Sequence, residues 1–154
     1  KPKEPILATI EPHDVLDSTI NLLSNEFIRR RINMDKHYQA NGASVRADSN
    51  QLRQVILNLV LNALQAVGEE GEVAISTYQQ NGLFILEIKD SGPGIDPNIA
   101  SRLFEPFVTG KTGGTGLGLS IVRKIIKEHG GTVSVNSQRN EGAIFTVMLP
   151  LSCN

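Results

Sequence analysis

Asn58 and Asn62 stand four residues apart in the apolar run from residue 55 to residue 67. With Gln51, Gln54 and Gln65 they recur at steps of three or four, the spacing of one helix face. A solvated stripe would use lysine and glutamate, because asparagine is a poor helix former that competes with the backbone. Amides on a mostly buried helix suit directed hydrogen bonds, and their oxygens are hard donors of the kind magnesium takes together with waters and phosphates. A satisfied polar stripe on a partly wet face is the ordinary alternative.

Asp90 ends an apolar strand where the chain turns away through Gly92 and Gly94. Glycine lets a backbone approach a ligand closely. A carboxylate in such a crevice can accept a hydrogen bond from an exocyclic amine such as that of adenine, with Ile95 as an apolar face for the ring. A plain turn uses the same residue types. Further on, Gly113-Gly114-Thr115-Gly116-Leu117-Gly118-Leu119 runs into an amphipathic helix. Free N–H groups at a helix N-terminus and the helix dipole make an anion site, to which Lys111 upstream would add a point charge. A flexible hinge is the competing use of those glycines. No Gly-Lys-Ser/Thr ends the run, so it is not a Walker loop, and no buried strand precedes it as in the dinucleotide fingerprint. Phe104 and Phe107 flank Pro106 and read as packing for a mobile segment. His13, His37 and His129 are scattered and support neither a triad nor a metal cluster.

These residues must be held by elements readable from periodicity. Residues 6–10 read as an edge strand, and residues 12–27 as one helix with Leu16, Ile20, Leu23 and Phe27 on its apolar face. Arg29, Arg30 and Arg31 place positive charge at its C-terminus. Residues 32–38 and 43–47 read as a hairpin around Asn41-Gly42. Asp48, Ser49 and Asn50 offer caps for a long helix to about residue 67. Residues 73–78 and 83–89 form a second hairpin about Asn81-Gly82, and residues 132–137 and 143–149 a third. A helix from Gly116 to about residue 128 ends at Gly130-Gly131. The sum is an α/β two-layer sandwich, a mixed and mostly antiparallel sheet with three helices on one face. The segment from residue 91 to 115 is long for a connection, which points to a lid over about residues 95–115.

At 154 residues with 40% hydrophobic side chains, the chain is sized for one domain around one core. Its net charge of −1 and lack of a basic block exclude a backbone-tracking nucleic-acid binder. Cys153 is the one cysteine, so no disulfide framework or zinc cluster can form, and a reducing, cytoplasmic setting is expected. No segment is long and apolar enough to cross a bilayer, although a longer parent protein can carry an anchor elsewhere.

In chain order, Asn58-x-x-x-Asn62-Ala63, Asp90-x-Gly92-x-Gly94, Phe104-x-Pro106-Phe107 and Gly116-x-Gly118-Leu119 resemble the N box, first glycine box, F box and second glycine box of sensor histidine kinases. The resemblance covers about residues 7–150 and implies the Bergerat ATP-binding fold with ATP and Mg2+ as ligands. It implies that Asn62 and Asn58 meet magnesium, and that Asp90, supported by Thr146, binds the adenine amine beside Gly92, Gly94 and Ile95. Lys111 and Thr115, Gly116, Leu117, Gly118 and Leu119 would lie along the phosphates. It further implies transfer of the γ-phosphate to a histidine on a separate dimerisation domain, relay to a response-regulator aspartate, and a homodimeric parent. The isolated domain is expected to be monomeric.

Two departures from relatives are informative. ATPases of this fold carry a water-activating glutamate where this chain has Asn58, and an amide cannot act as a general base. Leu64-Gln65-Ala66 after Asn62-Ala63 resembles the nitrogen-regulation-kinase-like subgroup. His13-Asp14 echoes an acceptor pair but falls on the first helix with too little chain before it for a helical hairpin. The phosphoacceptor domain is therefore expected outside these residues, and no catalytic residue is assigned within them.

Overall fold

The structure is a computed structural model describing residues 4–108, 118–137 and 140–152. Seven strands and five helices occur among the described residues: β1 (Ala8–Ile10), α1 (Pro12–Leu22), α2 (Ser24–Arg29), β2 (Asn33–Tyr38), β3 (Val45–Ala47), α3 (Ser49–Val67), β4 (Glu72–Gln80), β5 (Leu83–Asp90), α4 (Pro97–Ala100), α5 (Gly118–Glu128), β6 (Thr132–Ser137) and β7 (Ala143–Pro150). The main sheet runs β2-β4-β5-β7-β6, and β1 pairs with β3 in a separate two-stranded ribbon. Only the β2–β4 pairing in the main sheet is parallel. The two-layer mixed sandwich is as the periodicity implied.

Helix α3 is central to the helical layer because its apolar residues are buried on several sides. Val55, Leu59 and Val60 are fully enclosed, with Ile75 and Ile88 of the sheet and Val122 and Ile126 of α5 in the same core. Each such side chain contributes about 1.5–3 kcal/mol relative to exposure. Asp48 starts the helix by accepting the N–H groups of Asn50 and Gln51 at 3.0 and 3.2 Å. At the other end Gly68, with φ +75°, releases the chain toward β4.

The β4–β5 hairpin turns on Asn81 and Gly82, both at positive φ (55° and 77°), which matches the twist of the flanking strands. The third hairpin, β6 with β7, also forms. The first does not. Strand β2 lies parallel to β4 and β3 joins β1 instead. Gly42 does turn the chain at φ +77°, but Ala40 and Ala43 on either side are drawn into the core, which parts the two strands. The single helix read over residues 12–27 is likewise two. Leu23 leaves helical geometry at φ −102°, ψ 4°, and Ser24 Oγ donates to the Asn21 carbonyl, a local bond that competes with helix continuation. Leu16, Ile20, Leu23 and Phe27 are nonetheless all buried. Arg29 pairs with Glu26 at the end of α2, and Arg30 Nη1 donates to the Leu64 carbonyl. No described helix is long and apolar enough to cross a membrane.

Candidate nucleotide site

A cavity of about 350 Å3 opens between the C-terminal half of α3, the end of β5, the segment after it, and the start of β7. Asn62, Gln65 and Ala66 reach it from α3, Asp90 from β5, and Ala143 and Phe145 from β7. Gly94, Ile95, Ile99 and Leu103 close the remaining side. Three segments far apart in the chain, two of them carrying motifs, thus share one pocket, mostly apolar with a few polar groups, as small-molecule sites are.

Asp90 is 2% exposed. Burying a carboxylate is costly unless donors meet it. One donor is the Gly92 N–H, which reaches Asp90 Oδ1 at 2.9 Å and shapes the turn after β5. Gly92 admits no side chain, since a Cβ there would stand 2.8 Å from the Ala66 carbonyl oxygen. The turn is thereby pressed against the last turns of α3. Gly94 follows at φ +84°, and the Ile95 N–H then donates to Ser137 Oγ at 2.8 Å. Ser137 and Ala143 were missing from the sequence reading: a serine at a strand end and an alanine within a strand carry no chemical signal of their own.

Thr146 requires a correction. Strands β5 and β7 pair so that Asp90 stands opposite Ala143 and Glu87 opposite Thr146. Side chains alternate along a strand, so Thr146 shares the face of Glu87 and points away from that of Asp90. The β7 residue beside Asp90 is Ala143.

Asn58 does not line the cavity. Its Nδ2 donates to the Gly118 carbonyl oxygen at 3.2 Å, joining α3 to the first residue of α5. Gly118 and Leu119 open that helix. Lys111, Thr115, Gly116 and Leu117, with most of the expected glycine loop, lie outside the described residues. In the segment after β5, Asp96 caps the unanticipated one-turn helix α4, with Pro97 at its first position. Phe104 packs edge-on against Phe145 with ring centres 6.1 Å apart, so it does serve as packing. Phe107 does not pack: it is 77% exposed and at φ 66°.

His13 is enclosed in the fold rather than presented to solvent. It is 7% exposed, with Nε2 at 2.8 Å from Thr77 Oγ1 and its ring stacked on Tyr38. Among the described residues no three His, Cys, Asp or Glu side chains converge to hold a metal. A divalent ion here would rely on amide oxygen and on oxygens brought by its ligand, the donor set that magnesium accepts.

A sheet backed by one long amide-bearing helix, with a buried strand-end carboxylate and a glycine turn around one cavity, defines a Bergerat-type ATP-binding domain. The family model of histidine kinase-, DNA gyrase B-, and HSP90-like ATPases matches residues 47–152, and the chain belongs to that family. It is 36% identical over 152 residues to sensor histidine kinase ZraS of Salmonella typhimurium, covering 98% of this chain and 33% of ZraS. Against sensory histidine kinase/phosphatase NtrB of Rhizobium meliloti it is 38% identical over 156 residues, covering 91% and 40%. The solved catalytic domain of histidine kinase ThkA, nucleotide-free, aligns with a TM-score of 0.86 at 32% identity, covering 94% of this chain and 95% of that one. ThkA has also been solved with response regulator protein TrrA, where the match has a TM-score of 0.83 at 28% identity and covers 95% and 42%. Within the family the chain is a catalytic ATP-binding domain of the sensor histidine kinase kind, and it spans a third of ZraS.

Proposed function

We propose that this domain binds Mg-ATP and, in an intact homodimeric kinase, presents the γ-phosphate to a histidine on a separate dimerisation domain. A response-regulator aspartate then receives the phosphoryl group. The observation that carries this reading is the convergence of Asn62, Asp90 and Ile95 on one cavity.

Asp90 accepts the adenine amine, and Ile95 with Phe145 faces the ring. Asn62 offers its amide oxygen to magnesium, whose charge offsets that of the phosphates. Asn58 holds Gly118 and with it the start of α5, where Leu119 and the glycines before it meet the phosphates. None of these groups is a general base, which suits a transfer whose catalysis is positioning and charge neutralisation, and whose acceptor is already nucleophilic. The partnership with a response regulator is supported by the ThkA complex with TrrA.

Calorimetry of the chain with ATP, with and without Mg2+, tests the binding half. Magnesium-dependent ATP binding without appreciable hydrolysis is expected, whereas rapid hydrolysis would make the chain a self-contained ATPase. For the transfer half, Asn62→Ala in the parent kinase should abolish autophosphorylation; a normal rate would remove the magnesium assignment.

A further inference from the structure

We infer that Ser137 is a positioning residue for the nucleotide cavity, holding the backbone of Ile95 so that the apolar wall for the base is formed before the ligand arrives. This rests on the nucleotide reading of the cavity and adds a residue to which neither motif nor spacing pointed.

The Ser137 hydroxyl makes two bonds at once. It accepts the Ile95 N–H at 2.8 Å and donates its one proton to the Gly142 carbonyl at 3.1 Å. A hydroxyl can do both, and an alanine can do neither. Strand register brings it there: Ser137 stands opposite Ala143, and Ala143 opposite Asp90, so three strands place one row of residues at the cavity end of the sheet. Ser137 itself does not line the cavity, whereas Ile95 and Ala143 do.

The segment it holds needs holding. Between Asp90 and Ile95 the chain passes through Gly92 and Gly94, and glycine is the residue with the most conformations to lose. The bond from Asp90 to Gly92 fixes the near end of this segment. At the far end the brace is Ser137, assisted by the Asn140 N–H, which donates to the Pro93 carbonyl at 2.7 Å. Ser137 at the end of β6 and Asn140 thus grip the glycine segment at two backbone groups. Such pre-ordering removes a conformational cost from binding.

Calorimetric titration of the full chain with ATP in the presence of Mg2+ tests this. Ser137→Ala should weaken ATP binding about tenfold, the loss of one to two net hydrogen bonds. Ser137→Thr keeps the hydroxyl and should bind within about twofold of the unaltered chain. Equal affinity of S137A and the unaltered chain overturns the inference, as does S137T falling as far as S137A. Should S137A not fold, amide hydrogen exchange of the unaltered chain decides: slow exchange at Ile95 without nucleotide supports the brace, and fast exchange overturns it. Absence of ATP binding by the unaltered chain would instead overturn the nucleotide reading itself, and this inference with it.

Discussion

Asn58 donates its side-chain amide to the carbonyl oxygen of Gly118 across 60 residues of sequence, and through that bond the middle of α3 holds the first turn of α5. The relation gives the asparagine a use that a glutamate, as in ATPases of this fold, could not fill, because a carboxylate has no proton to give a carbonyl.

The order of two variants follows from this bond. Asn58→Ala loses one neutral hydrogen bond, worth about 1 kcal/mol, and should weaken ATP binding about fivefold. Asn58→Asp sets a negative charge against the carbonyl and should cost more. Calorimetry on both variants reads the order, and tighter binding by N58D than by N58A would assign the position to the metal rather than to Gly118.

Asp90 should govern choice of base. Hydrogen bonds to a charged acceptor contribute about 1.5–3 kcal/mol, so Asp90→Ala should lower ATP affinity at least tenfold. Asp90→Asn, which keeps an oxygen for the Gly92 N–H but loses the charge, should lie between. GTP, lacking the adenine amine, should bind poorly to the unaltered chain and lose little in either variant. Competition titrations with the two nucleotides measure this, and equal loss for ATP and GTP would remove Asp90 from base recognition.

Legibility in the sequence followed the range of the cause. Asn62 and Asp90 stood out because an amide in a buried helix and a carboxylate before a glycine turn are locally improbable. The Asn81-Gly82 hairpin was readable because its turn is made by the two residues that announce it. Asn41-Gly42 makes a turn just as well, yet β2 pairs with β4 some 40 residues on, a choice settled by which strands can share a core. Thr146 was carried over from the family resemblance against its own strand parity: Ala143, Phe145, Val147 and Leu149 are the buried positions of β7, and Thr146 alternates with them. Ser137 was not readable at all, since its importance lies in the Ile95 N–H that another segment brings to it.

Gly142 should be among the least replaceable residues of the site. Its φ is +76°, and a Cβ built there would lie 1.9 Å from the Asp90 carbonyl oxygen. Gly42 has nearly the same φ, +77°, with nothing within 4 Å of its Cβ position. Gly42→Ala should thus cost only the left-handed backbone penalty, about 1–2 kcal/mol. Gly142→Ala must also displace β5 and should cost several kcal/mol, lowering the melting temperature by roughly 10 °C. Thermal unfolding of both variants isolates the overlap, and equal shifts would show that β7 and β5 part freely at this corner.

Asp48 ties stability to acidity. Its carboxyl is held below its ordinary value of 3.8, first by the bond from the Ile6 N–H; partial burial opposes this, and the Gln51 and Asn50 N–H groups and His129 reinforce it. A depressed folded value means that the ionised group stabilises the fold above about pH 4, and that this contribution fades as pH falls through the folded value. Asp48→Asn keeps a competent helix cap and removes the charge, so its deficit against the unaltered chain should persist from pH 8 to 5 and shrink toward pH 3. Asp48→Ala removes the cap as well and should stay about 1–2 kcal/mol less stable at neutral pH. Urea denaturation of the three proteins across that range checks both. A deficit of Asp48→Asn that grows on acidification would reverse the sign and show that the carboxyl is protonated in the fold, with the Ile6 N–H no longer its principal stabilising partner.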